Sequence, residues 1–189
     1  DVSIPAGCPQ HAPPNLKISG SETLAPGLHC GGIQLTGDAI LNLAPGEHYF
    51  VGDVTADQSA QITGDDVVLV FDNHSKFDFS GQSRVSLRGR RSGQLAGFVV
   101  ITTRTNGQDF HISASHVNEL LGTIYIPNAQ LVVEGVDNVA QTSEWTVVVA
   151  RQLTLHGSPT LYINANYAGS SVPVPAGVGP NSAKAHLVH

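Results

Sequence analysis

The feature that most constrains this chain is a short unit that keeps returning. An apolar residue and a polar one are followed by Gly and, usually, another polar residue. It reads ISGS from Ile18, LTGD from Leu35, ITGD from Ile62, FSGQ from Phe79, VEGV from Val133 and LHGS from Leu155. ISAS from Ile112 is the same unit with Ala in the Gly place. The glycines stand at 20, 37, 64, 81, 135 and 157, spaced by 17, 27, 17, 54 and 22 residues. A spacing near 17 to 27 matches one turn of a solenoid whose connecting loops vary in length. A second repeat supports this: LAPG occurs at Leu24–Gly27 and again at Leu43–Gly46. Pro presets φ for a turn, and the Gly after it suits the left-handed place of a type II turn. The residues Pro26, Gly27, Pro45, Gly46, Gly37, Gly64, Gly81, Gly135 and Gly157 are therefore read as corners.

Between the corners lie β-rich runs such as AILNL, VVLVF, RVSLRG, GFVVITT, GTIYIP and WTVVVA. They have strand length and strand composition. The best helix candidate, SHVNELLG, is short. A sandwich would show Asn-Gly hairpin turns, and only TNGQ at Thr105 offers one. The expected fold is all-β: one domain over residues 1–189, a parallel β-helix (β-solenoid), right-handed by the general bias of parallel connections. Leu35, Ile40, Leu41 and Leu43 are expected to point inward. Residues 1–30 form an N-terminal cap tied by a Cys8–Cys30 disulfide, which implies an oxidising compartment. Residues 168–189, rich in Pro and Gly, form an extended C-terminal tail.

Composition narrows the partners. The net charge is −6 and only 13% of residues are charged. Apart from RGRR at Arg88–Arg91, read as a solvated loop, there is no basic stripe, which excludes nucleic acid as a partner. No apolar run reaches the roughly 20 residues that span a bilayer. There is no Met, so the expectation is a processed product or fragment. Protonating all nine His would carry the charge from −6 to about +3.

An enzyme on a β-helix would need clustered carboxylates with a nearby cation. The candidates are Asp65, Asp66, Asp72, Asp78 and Asp109, with Arg84 and Arg104. Asp beside Gly is better explained as turn chemistry, so no catalytic residue, cofactor or metal site is assigned. His29 and His48 hold equivalent places in the two LAPG repeats and would stack as a surface ladder. With Trp145, which opens WTVVVA and is more readily core or cap, they make a candidate partner surface.

The order of LAPGLHCGG, ITGDDVVLVF, LAGFVVI, GTIYIP, TVVVARQLTLHG and the terminal AHLVH resembles the C-terminal extracytoplasmic region of TadG-like proteins of the tight-adherence (Flp) pilus system. Many relatives carry Tyr where this chain has His29. The resemblance implies a non-enzymatic envelope protein, periplasmic or at the cell surface and akin to a minor pilin. It would be membrane-anchored through an N-terminal helix absent from this chain. Its expected partners are other pilus-assembly or pilin proteins, with surface glycans as a further class. The alternative is a β-helix that binds or cleaves polysaccharide.

Overall fold

A computed structural model describes residues 2–9 and 14–178. Its described residues contain strands and turns and no helix. The first turn of the solenoid consists of β1 (Leu16–Ile18), β2 (Ser21–Leu24) and β3 (Gly27–Cys30). The second comprises β4 (Ile33–Leu35), β5 (Ile40–Leu43) and β6 (Gly46–Val51). The third comprises β7 (Val54–Ala56), β8 (Gln61–Gly64) and β9 (Val67–Phe71). The fourth comprises β10 (Phe77–Phe79), β11 (Arg84–Arg88) and β12 (Phe98–Thr102). After β13 (Asp109–Ile112), the long strand β14 (His116–Gly135) bends round two corners, and β15 (Asn138–Val139), β16 (Thr146–Gly157) and β17 (Thr160–Leu161) complete about six turns. Every strand pairing is parallel. The exception is an isolated antiparallel bridge between Trp145 and Ala165.

Three stacked faces result. The first contains β1, β4, β7, β10, β13, residues 130–135 and residues 152–157. The second contains β2, β5, β8, β11 and residues 116–121. The third contains β3, β6, β9, β12, residues 122–126 and residues 146–150. Strand side chains alternate between the two sides of a sheet, so parallel register stacks like on like. Ile33, Val54, Phe77 and Phe110 form one inward column; Leu35, Ala56, Phe79 and Ile112 form the next. Phe50, Phe71, Phe77 and Phe110 meet in a chain of ring contacts running from the second to the fifth turn. Leu41 and Leu43 are inward as expected, whereas Ile40 faces out, half-buried, in a row with Ser21 and Gln61.

The Gly corners need one correction. Register places Gly37, Gln58, Gly81, Ala114, Gly135 and Gly157 above one another after the first face. Gly64 is not in this series. It ends β8 on the next corner, beside Val67, and pairs with Leu43 and Leu87. Its place is taken by Gln58, a non-Gly residue at φ 60°, against 65° and 63° for Gly37 and Gly81. The Gln58 side chain accepts a bond from the Gly37 N–H at 2.8 Å, which helps hold this left-handed turn. Sequence similarity pointed at the Gly of ITGD; the fold uses the unmarked ADQS before it.

The LAPG corners stack only at their start, Leu24 on Leu43; the second corner is two residues longer, so Gly27 pairs with His48, and a Cβ at Gly46 would overlap the Pro26 ring. Their glycines sit at φ 132° and 146°, well beyond the roughly 80° of a type II turn. The requirement for Gly at 46 comes from close approach between turns.

Cys8 and Cys30 are bonded, with Cα atoms 5.5 Å apart. The bridge holds the N-terminal segment against the solenoid, where Val2 and Ile4 pack on Val68, Val70 and Ile101. Replacing both cysteines by Ser is expected to cost about 3 kcal/mol, from the chain-entropy estimate for a loop of this length. Chemical denaturation compares the variant with the parent; a loss below about 1 kcal/mol would mean the segment holds itself in place.

Candidate functional site

The three outer surfaces differ in kind. On the third face the outward column runs Leu28, Tyr49, Val70, Ile101, Tyr125 and Val149. Parallel strands are commonly apolar on both sides because something covers them. Here the cover comes from segments near both ends and from one loop: Val2 and Ile4 from the N-terminal segment, Leu95 from the loop after β11, and residues 167–178. Trp145 Nε1–H donates to the Val172 carbonyl at 3.1 Å, and Pro173 and Pro175 press on Gly97. The described part of the tail is thus a strap; residues 179–189 lie outside the described residues. Between these covers remains an apolar cavity of about 370 Å³, lined by Leu95, Phe98, Ile101, Tyr125 and Pro127 among others.

The second face is uncovered and polar. Its outward rows are Thr23, Asn42, Thr63, Ser86, Glu119, and Ser21, Ile40, Gln61, Arg84, His116. Successive turns lie about 4.8 Å apart, so the rows present a hydrogen-bonding group at each step along the solenoid axis. Thr63 donates to Asn42 at 2.8 Å, and Ser86 to Glu119 at 2.8 Å. Arg88 lies 3.2 Å from Glu119 and 3.8 Å from Glu144. Two adjoining shallow grooves of about 300 and 240 Å³ run across these residues, sharing Thr63 and Ser86. This groove is the candidate site.

Few of its residues were singled out from the sequence. Arg84 lies in it and Asp65 lines one end, but Glu119, Arg88, Thr63 and Asn42 were missed. The available signal was the polar residue at one fixed place in ILNL, QITG and RVSL, which becomes visible only after register aligns the turns. The other candidate carboxylates are dispersed. Asp66 pairs with Arg90 at 2.8 Å and Asp65 with Arg91 at 2.6 Å, so these two arginines of RGRR reach the preceding turn, Arg91 in a solvent-exposed pair, while Arg88 turns to Glu119. Asp72 accepts from Ser75 and from the His74 N–H. Asp78 and Asp109 are on the first face. Arg104 borders the apolar cavity instead. Among the described residues no three His, Cys, Asp or Glu side chains converge as metal ligands.

Burial removes two of the three candidate partner residues from reach, because His48 and Trp145 have no exposed surface. His29 is half-buried. The two His do stack, with ring centroids 5.3 Å apart, but inside the third face rather than on it. His48 Nε2–H donates to the Ala44 carbonyl at 2.8 Å, leaving Nδ1 to accept from His29 Nε2–H at 3.1 Å. Protonating His48 would put N–H against N–H. Burial, and then the neighbouring His48, hold His29 down to about 4. Burial also lowers His48, opposed by its bond to Ala44 and reinforced by Arg90.

Both groups bind protons more weakly folded than unfolded. The stability tied to them is complete above the unfolded value near 6.5 and is lost as pH falls from there toward 4. Denaturation between pH 7.5 and 4.5 should show a decline of several degrees in the thermal midpoint. The His29→Gln variant keeps an amide donor for His48 without titrating and should show a shallower decline. An equal slope in the two proteins would assign the effect to other groups.

The fold and these surfaces define a β-solenoid with one strapped apolar face and one open polar face. No known family model, curated protein or solved structure matches the chain. No helix among the described residues is long and apolar enough to cross a membrane. The disulfide is compatible with an extracytoplasmic location.

Proposed function

We propose that this chain is a non-enzymatic bacterial envelope protein that acts by protein–protein binding in the assembly of, or adhesion through, a tight-adherence pilus. The motif order quoted above supports the pilus context. The observation that carries a binding role is the second face: a flat polar ladder crossing five turns of a scaffold whose interior is filled by side chains. A rigid surface of this kind holds its donors and acceptors in place before a partner arrives, which lowers the ordering cost of association. In the source cells, deleting the gene is expected to remove surface pili seen by electron microscopy and to reduce attachment. The full-length gene should restore both; a copy carrying Thr63→Arg and Ser86→Arg should not. Normal pili and normal attachment in the deletion strain would overturn the pilus reading.

One observation favours polysaccharide binding as a second reading. The same groove runs along the solenoid axis, lined with hydroxyl, amide, carboxylate and guanidinium groups, as a linear hydroxyl-rich chain would require. Glu119 and Glu144 both face Arg88, an arrangement suited to holding a ligand. Titration calorimetry of the purified chain against linear polysaccharides tests this; absence of heat across neutral and acidic polymers rejects it.

A further inference from the structure

The two ends of the solenoid are finished differently. In the last turn, Leu153 and Leu155 continue the inward columns of Leu131 and Val133. Leu131 and Val133 are fully buried, yet Leu153 is 45% and Leu155 49% exposed. Val136 and Ile163, also in the last turns, are 76% and 54% exposed. Among the described residues, the strand over residues 152–157 is paired on one side only, with β14. The core columns therefore end in an open apolar layer with an unpaired backbone edge, a combination that invites strand addition. At the other end, Leu16 is also half exposed, but Glu22 occupies the inward place that Leu41, Ile62, Val85 and Val117 fill in later turns. The Cys8–Cys30 bridge lies in that first turn too. A carboxylate in a core column prevents another turn from stacking there.

We propose that the open C-terminal end pairs with the same end of a second copy of this chain, giving a two-fold dimer through the edge of residues 152–157. The edge sequence, Gln-Leu-Thr-Leu-His-Gly, has no carboxylate, although the whole chain carries −6. Antiparallel pairing about Thr154 sets Leu153 opposite Leu155 of the second copy and Gln152 opposite His156. Arg151 then falls opposite Gly157. No like charges face each other, and the leucines of both copies stay on the core side. Because Glu22 blunts the opposite end, head-to-tail growth is blocked and association closes at two. This inference does not rest on the pilus reading.

Sedimentation equilibrium of the full 189-residue chain, from low to high micromolar concentration, is expected to show a monomer–dimer equilibrium. Leu153→Glu with Leu155→Glu places carboxylates against carboxylates and should weaken the dimer at least about 100-fold, like charges in an interface costing several kcal/mol. Both side chains are about half exposed in the monomer, so its far-ultraviolet dichroism should be unchanged. Hydrogen exchange on the parent gives a readout free of any mutation. Amides of residues 152–156 that do not bond to β14 should gain protection as concentration rises. A monomer at all concentrations, an open-ended polymer, or a dimer whose edge amides stay unprotected would each overturn the proposal.

Discussion

Phe71→Ala is expected to lower the stability of the protein by about 3–5 kcal/mol, as for other large-to-small changes at buried rings. At roughly 2–4 °C per kcal/mol for a chain of this size, the thermal midpoint should fall by about 6–20 °C. Phe71 has no exposed surface and touches Phe50, Phe77 and Phe110, with ring centroids 5.3, 6.1 and 5.4 Å away. It thus links residues of the second, fourth and fifth turns through the third. A solenoid turn contacts mainly its neighbours, so a cavity here weakens the middle of the solenoid, and neither end can compensate. Phe71→Leu, which retains much of the volume, should cost less than half as much. Differential scanning calorimetry measures both; a loss below about 1 kcal/mol for the Ala variant would show that the ring chain is incidental.

Gly52→Ala should have an effect of similar size from a different cause. Gly52 lies at the corner after the third face with φ 145°, a region nearly confined to Gly and costing about 1–3 kcal/mol for other residues. Its added methyl carbon would lie 2.5 Å from the Gly32 nitrogen and 2.6 Å from the Gly31 carbonyl oxygen. Those atoms are backbone of the turn below and cannot rotate aside, and a forced shift adds about 1–3 kcal/mol. The sum, about 2–6 kcal/mol, applies to one methyl group. Gly27→Ala is the matching control. Its φ is 132° but its methyl would meet nothing within 4 Å, so only the backbone cost remains. Equal losses at 27 and 52 would mean that contact between turns is not what demands Gly at 52.

These two sites show why part of the fold could be read from residues and part could not. The recurrence of LAPG marked two corners of the solenoid, although the second is two residues longer, so their glycines are out of step. The inward leucines at 35, 41 and 43 followed from period-two alternation, which sequence carries directly. Ile40 broke the pattern because an outward position on the open face still tolerates one apolar residue, half-buried in the row between Ser21 and Gln61. Gly64 misled because Gly serves two needs, a left-handed φ and close approach, and a sequence does not say which. Gln58 met the first need with no Gly at all.

The candidate site was less legible. Glu119 and Arg88 are 31 residues apart in the chain and meet because β11 and β14 are neighbours in register. The turn between β10 and β13 holds two inserted loops, so spacing in the chain gives no guide to that pairing. His29 and His48 do not hold equivalent places: the second LAPG corner is two residues longer, so His48 pairs with Gly27 and His29 with Phe50, and the two rings meet across that offset. Whether they stack outside or inside depends on the side of the strand, which Gly27 and Gly46 reset at the corner.

By itself, the sequence determined that the chain is a stack of parallel β turns with a disulfide-bonded N-terminal region. Local φ preferences and alternation repeat in every turn, and repetition amplifies a weak signal. The tertiary structure alone decided which surfaces are open, because coverage depends on distant segments. Segments near both ends and the loop after β11 close over one face, a polar ladder leaves another bare, and Leu153 and Leu155, ordinary core residues by pattern, are exposed because no described strand pairs beyond them.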